Sequence, residues 1–307
     1  LQHHLRMGWS IFHSELGEYI DVIPAQQRTG SHWYLGTADA IYQNINTINE
    51  EQPDQVLILA GDHVYKMNYA EMVESHEATE AVVTVGVIEM EQEQAKGFGI
   101  VEVDTAGRII GFEEKPARPK TIPSRPGRCY VSMGIYLFNR AFLQQALVED
   151  ARRQESSHDF GKDIIPLAAR SVRMMAYNFK DESKQEPKYW RDIGTLDAYY
   201  EANMDLVQVT PLFNLYDRDW PIRTYQEQWA PAKTVFADEA TGRLGTVLDS
   251  LVSNGCIISG GRVVRSVLSP DVRINSFASV EDAILMEHVQ VGRYAKIRRA
   301  IIDKDVV

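Results

Sequence analysis

The segment QVLILAGDHVYK (55–66) places Asp62 just past four consecutive aliphatic residues, Val56 to Leu59, with Gly61 before it. Such a run has the composition of a strand buried on both faces, and in open α/β sheets ligands bind beyond the carboxyl ends of the strands. Gly61 lets another group approach the backbone closely. A carboxylate there can hold a magnesium ion, which favours oxygen ligands and reaches proteins through one or two carboxylates plus substrate phosphates. Taken alone, Asp62 is equally suited to a turn or a helix N-cap. A second candidate, Asp192, lies in KYWRDIGTLDAYYEANMDL (188–206), just before Gly194 and a helix beginning near Thr195, where capping is again the plain alternative. Two carboxylates at one sheet edge suit a metal better than either alone. The third candidate is GFEEKPARP (111–119), where Glu114 and Lys115 end a strand before proline. A lysine with an adjoining carboxylate can bind a phosphate and a sugar hydroxyl together, although a surface Glu–Lys is ordinarily a solvated pair.

The elements that must position these residues follow from hydrophobic periodicity. EYIDVIPA (18–25) reads as a strand, and a helix from about Thr37 carries Ile41, Ile45 and Ile48 on one face. The strand VLILA, a helix near Tyr69 to Glu77 and the β-branched run AVVTVGVI (81–88) follow. This alternation predicts an α/β, Rossmann-like domain with a mostly parallel sheet and helices on both faces. Residues 98–113 read as a hairpin around Thr105-Ala106-Gly107. The loop after it holds four prolines, Pro116, Pro119, Pro123 and Pro126, and is expected to be exposed. YVSMGIYLF (130–138) returns to the core with Ser132 facing in; helices are expected near 140–148 and 162–171, and at 196–207.

The aromatic and proline-rich segment 211–232 has neither regular period and reads as a linker between a domain spanning 1–210 and a second one at 233–307. In that second domain aliphatic residues recur every 17 positions: Leu251, Leu268, Leu285 and Ile302; Ile257, Ile274 and Val291; Val263, Val280 and Ile297; Val267, Ile284 and Ile301. A turn of that length divides into three short strands, as in a hexapeptide-like parallel β-helix.

Composition sets outer limits. A chain of 307 residues with 44% hydrophobic content can bury a sizeable core, and its formal charge of −11 argues against nucleic-acid or anionic-membrane surfaces. No apolar stretch is long enough to span a bilayer, and the first 25 residues lack a signal-peptide layout. Two cysteines, Cys129 and Cys256, make no disulfide framework, which points to a reducing, cytoplasmic setting. The opening LQHHLRMGWSIF has the pattern of the middle of an amphipathic helix and suggests a fragment with an incomplete β-helix at its other end.

Eight motifs in order give the chain a close resemblance to the glucose-1-phosphate adenylyltransferases of bacterial glycogen synthesis: PAQQR, HWYLGTADAIYQN, LILAGDHVYKMNY, GFGIVEVD, FEEKP, SMGIYLF, HDFGKDIIP and YWRDIGTLDAYYEANMDL. The resemblance implies a nucleotidyltransferase domain and a left-handed β-helix. It also implies synthesis of ADP-glucose and pyrophosphate from ATP and α-D-glucose 1-phosphate with Mg²⁺, in a homotetramer controlled by small-metabolite effectors. It assigns the metal to Asp62 and Asp192, the sugar phosphate to Lys115 and the sugar hydroxyls to Glu114. Gly99 and Ser132 become further glucose 1-phosphate contacts. Trp33 and Tyr34 fall at the nucleotide and substrate site, and Gly36, Thr37 and Ala38 near the adenosine. Asp159 and Lys162 are fainter matches. The family's Gly-rich ATP-phosphate loop precedes the region that Leu1 opens, so a chain starting there is expected to be impaired. Two alternatives stay open: a sugar-phosphate nucleotidylyltransferase for another nucleotide, and a non-catalytic regulatory or assembly subunit of the same fold.

Overall fold

The computed structural model describes residues 2–25, 33–181, 183 and 186–307. Residues 26–28 of PAQQR and His32 lie outside them. The chain divides into two units, one of 23–61 and 67–188, the other of 1–22, 62–66 and 189–307.

The first unit is built on one curled sheet. Its strands are β1 (Gln55–Ile58), β3 (Val83–Glu91), β4 (Gly99–Val103), β5 (Ile109–Glu114), β6 (Arg128–Asn139) and β7 (Met174–Asn178); β2 (His63–Tyr65) belongs to the other unit. Order along the sheet is β5-β4-β6-β3-β7, with β1 also on β6. The twelve-residue β6 is its spine, antiparallel to β1, β3 and β4, while β3 and β7 run parallel. The sheet is therefore mixed, and among the described residues its parallel pairing is confined to β3 and β7. The reason is local: β6 is reached through the β4–β5 hairpin and the Pro-rich loop, not through a helical crossover, so it can run against its neighbours. An isolated bridge from Arg108 to Met175 brings the start of β5 to β7 and curls the sheet towards closure.

Helices α2 (Thr37–Tyr42), α3 (Ile45–Glu51), α4 (Tyr69–Ala78), α5 (Arg140–Ala151) and α6 (Ile165–Ser171) surround this sheet. The apolar faces of α2, α3, α5 and α6 meet Val83, Val85, Val87, Tyr136 and Phe138 in a continuous core that includes Ala38, Leu143, Leu147 and Ile165, and α4 buries Met72. The predicted single helix after Thr37 is two, broken between α2 and α3, yet Ile41, Ile45 and Ile48 still pack on the core.

Two expectations are corrected. EYIDVIPA forms no strand, and Tyr19, Ile20, Val22 and Ile23 are exposed; an apolar alternation becomes a strand only where a neighbouring strand takes up its backbone hydrogen bonds. The run 56–59 is only half-buried, because among the described residues β1 pairs with β6 alone, and Leu59 remains 43% exposed. The Pro-rich loop is exposed over most of its length, as expected, and is pinned at three points. Gln92 Nε2 donates to the Pro119 carbonyl at 2.7 Å, Ile122 is buried, and Arg125 reaches Glu89, whose side chain is 5% exposed, at 2.6 Å.

In the second unit, α1 (Gln2–Gly8) and α7 (Leu196–Leu206) accompany a three-sided solenoid of three parallel four-stranded sheets. Columns such as Val247-Val263-Val280-Ile297 and Leu251-Val267-Ile284-Ile301 stack in register around a core of Leu268, Ile274, Leu285 and Val291. The 17-residue period therefore holds, except in its first step. Val252, not Leu251, pairs with Leu268, and Ile258, not Ile257, with Ile274. The offset is 16 there and 17 from Gly260 to Phe277, because the second coil carries one more residue at its Asn275–Ser276 corner. Corner residues adopt left-handed backbone in stacks: Asp249, Arg265, Asp282 and Arg299; Gly255, Asp271, His288 and Asp305; Phe236, Gly260, Phe277 and Tyr294. Side-chain ladders offset the cost of that conformation. Arg265 grips Asp282 with two hydrogen bonds of 2.7 and 2.9 Å, and the rings of Phe277 and Tyr294 stack with centroids 5.1 Å apart.

Candidate active site

The two predicted metal carboxylates come together within the second unit. Strand β2 pairs antiparallel with β10 (Trp190–Asp192), following the small ribbon β8 (Lys180–Asp181) and β9 (Glu186–Pro187), and its register sets His63 opposite Asp192. Asp62 thus enters the pair where Asp192 leaves it, and the Ile193 N–H donates to the Asp62 carbonyl at 3.1 Å. Neither aspartate is a helix cap: Asn68 caps α4 and Thr195 caps α7. Gly194 locates the two side chains relative to each other. A β-carbon on it would lie 3.0 Å from Asp192 Oδ1 and 3.8 Å from Asp62 Oδ2, so both carboxylates face the same bare α-carbon. The Gly194 N–H also holds Asp192 Oδ1 at 2.7 Å.

This donor set fits a hard divalent cation. Two carboxylates supply negative oxygens, and the Asp62 side chain is 64% exposed. Among the described residues no cluster of three or more His, Cys, Asp or Glu side chains could complete a shell, which leaves positions for substrate oxygens and water. Behind them, the His63 ring stands edge-on to Trp190 at 5.1 Å and has a buried Nδ1 with no hydrogen-bond partner among the described residues.

The predicted sugar-phosphate residues meet in the first unit. Glu114, the last residue of β5, pairs across the hairpin with Gly99 of β4. A β-carbon at Gly99 would lie 2.9 Å from Glu114 Oε2, and one at Gly161 only 2.8 Å from it, so the carboxylate is seated between two glycines. Gly161 also adjoins Asp159 Oδ1, at 3.3 Å from the same imagined atom. Burial raises the Glu114 carboxyl above its ordinary range against the pull of Lys115, and Asp159 pushes in the same direction as burial. Lys115 takes a left-handed backbone and donates its N–H to the Phe98 carbonyl. That turn leaves its ammonium 64% exposed and 3.9 Å from Glu114 Oε1.

Ser132 is buried in β6 beside Tyr136, with 3.4 Å between the two hydroxyls. Between them Gly134 adopts positive φ and donates its N–H to Ser132 Oγ, and β3 shifts register against β6 here. This bulge is what turns residues 132 and 136 towards each other. Burial pushes the Tyr136 phenol up to about 12, and the Glu114 and Asp159 carboxylates act in the same direction. Tyr136 therefore stays protonated as a donor. It was missed in the sequence because SMGIYLF reads as a plain core strand, whose period does not reveal a bulge.

The nucleotide segment lies in the same unit. Asn44 Nδ2 donates to the Tyr34 hydroxyl at 2.9 Å, and Leu35 N–H to Asp39 Oδ2 at 2.8 Å; Trp33 is largely exposed. Gly36 precedes α2 in extended backbone, Thr37 opens the helix and Ala38 is buried in the core. The loop before α6 touches this segment: the His158 carbonyl accepts the Ala38 N–H at 2.8 Å and the Asp39 N–H at 3.3 Å.

A carboxylate pair for a cation, a glycine-lined acidic and basic pocket, and an α/β sheet joined to a parallel solenoid define a nucleotidyltransferase with a hexapeptide-type tail. Family models agree, the nucleotidyl transferase model over residues 1–209 and the GlmU-like C-terminal hexapeptide model over 230–307. Curated relatives narrow this further. The glucose-1-phosphate adenylyltransferases of Koribacter versatilis and Rhodopirellula baltica are 52% and 53% identical over the whole chain, which spans 73% and 69% of them. The same enzyme of Paramagnetospirillum magneticum is 50% identical over the whole chain and 72% of its own length. The chain belongs to the glucose-1-phosphate adenylyltransferase family, whose members use a divalent metal.

Proposed function

We propose that the protein joins ATP and α-D-glucose 1-phosphate into ADP-glucose and pyrophosphate, for α-glucan synthesis. The observation that carries this is the chemistry that each unit gathers by itself: Asp62 with Asp192 beside Gly194 in one, and in the other Glu114 against Gly99 and Gly161, with Lys115 and Asp159 close to it. The nucleophile comes from the substrate. A sugar phosphate loses its second proton near pH 6, so at neutral pH its oxygen can attack the α-phosphorus of ATP in line without a protein base. Lys115 holds that phosphate as a point charge, while Glu114 and Asp159 accept from sugar hydroxyls and the Tyr136 phenol donates. Trp33, Tyr34, Gly36, Thr37 and Ala38 receive the adenosine. Asp62 and Asp192 hold the cation, Mg²⁺, which supplies charge neutralisation on the phosphates. No helix among the described residues is long and apolar enough to cross a membrane.

The family-model boundaries support a catalytic domain over 1–210, a linker at 211–232 and the solenoid from 233. A cytoplasmic homotetramer under small-metabolite control completes the proposal. The test is product formation by the full-length protein with glucose 1-phosphate, Mg²⁺ and each of ATP, UTP, GTP and dTTP. ATP should be preferred, and D62N or D192N should lower kcat by about 10³-fold with the fold intact. Preference for another base would overturn the assignment. Full activity of both variants would remove the metal roles, and absence of product from the wild type with every nucleotide would favour a non-catalytic subunit.

A further inference from the structure

The loop bearing Asp159 and the segment bearing Thr37 are 122 positions apart in sequence and are joined side chain to side chain. Thr37 Oγ1 donates to Asp159 Oδ2 at 3.0 Å and accepts the Phe160 N–H at 3.0 Å. The other oxygen, Asp159 Oδ1, accepts the Lys162 N–H at 3.1 Å. Both carboxylate oxygens are thus fixed, one by its own loop and one by the start of α2.

The contact has no slack. A β-carbon at Gly36 would come within 2.3 Å of the His158 carbonyl oxygen and 2.5 Å of that of Ser157, so the backbone of residue 36 lies directly against the loop. The loop is braced from behind. His158 Nδ1 pairs at 2.8 Å with Asp150, whose side chain is 4% exposed, and Asp150 also accepts from Ser156 Oγ at 2.7 Å. His158 itself holds a left-handed backbone that aims its carbonyl at the Ala38 and Asp39 N–H groups. A hydroxyl that donates to a carboxylate and accepts a backbone N–H has its orientation fully determined.

We propose that Thr37 is a positioning residue for the sugar pocket: its hydroxyl, carried on the nucleotide segment, sets the orientation of the Asp159 carboxylate, and through it the binding of glucose 1-phosphate. Asp159 faces Glu114 across Gly161, so a swing of its carboxylate displaces the second acceptor that a sugar hydroxyl would meet. The inference rests on the reading of Glu114 and Asp159 as the sugar site. It departs from the family resemblance in giving Thr37 a duty toward the sugar rather than only the adenosine.

The test is steady-state kinetics on the full-length protein and on T37V, T37S, D159N and T37V/D159N, varying each substrate with the other saturating. T37V should raise the KM for glucose 1-phosphate about tenfold, as expected for losing one hydrogen bond to a charged group, and several times more than it raises the KM for ATP. T37S should restore the wild-type value. In its KM for glucose 1-phosphate the double variant should be no worse than D159N, since Thr37 acts on the sugar only through Asp159. A merely structural role would instead lower melting temperature and affect both substrates alike, and the effects of T37V and D159N would multiply. Either that pattern, or a T37V that moves only the KM for ATP, overturns the proposal. Should D159N leave the KM for glucose 1-phosphate unchanged, the sugar-site reading falls and the proposal with it. With D159N impaired and T37V normal, only the proposal falls.

Discussion

Glu114 is placed where binding and stability pull in opposite directions. It is largely buried between Gly99 and Gly161 with its side chain 23% exposed, and desolvation raises its pKa above the ordinary 4.5. A carboxyl with a raised folded-state pKa binds its proton more tightly in the folded chain, so the stability of the protonated form is present below pH 4.5 and is lost as pH rises through the folded value. The neutral amide of E114Q imitates the protonated form. The variant should therefore melt higher than the wild type at pH 7 to 8, with the difference closing as pH falls below 4.5, while glucose 1-phosphate binding is lost. Melting curves across that pH range and a sugar-phosphate titration check both halves of the statement. The neighbouring Tyr136, held protonated up to about 12, should add no titration of its own to the activity profile at neutral pH.

At the scale of elements, what decides the outcome of a change is whether a backbone or a side chain has to yield. Gly36 and Gly161 make the contrast. A methyl group at Gly36 meets two main-chain carbonyls of the loop that anchors α2, and neither can turn away without breaking the His158 contacts to Ala38 and Asp39. G36A should cost about 2–4 kcal/mol in urea unfolding, as for other overpacked or strained sites. At Gly161 the obstacle is the far end of Glu114, which can rotate. G161A should leave stability nearly unchanged and raise the KM for glucose 1-phosphate about tenfold by displacing that carboxylate. If G161A instead unfolds the protein and G36A does not, the local packing described for α2 is wrong.

Across the whole molecule the two units obey different rules. In the curled sheet, β6 touches three other strands, so its packing is shared by the entire unit. In the solenoid each coil touches only its neighbours, and stability is close to a sum of nearest-neighbour terms. Leu285 is fully buried between Leu268 and Ile302 in one such column. L285A should cost about 2–5 kcal/mol, concentrated in the coils on either side. Hydrogen exchange should show faster opening at 262–302, with protection of β3 and β6 retained; loss of protection throughout would show that the units unfold as one.

Much of this was legible in the residues themselves. Periodicity alone marked the helices α4, α5 and α7, the β4–β5 hairpin and a three-strand coil, because each depends on side chains spaced along one short stretch. Asp62, Asp192, Glu114 and Lys115 were likewise visible, since a carboxylate or ammonium ending an apolar run is a local feature. Tertiary structure decided the rest. It made β6 antiparallel to its neighbours, left 18–25 outside the sheets, and placed near Asn275 the extra residue that lengthens the coil step from 16 to 17. It also brought the Tyr136 hydroxyl beside Ser132 through a bulge and set Thr37 against Asp159. The reason is physical: patterning reports which face of an element is apolar, whereas direction, register and the meeting of distant side chains depend on which other elements compete for that face. Those competitors lie as far away as Asp159 is from Thr37 or Asp192 from His63, where no local period reaches.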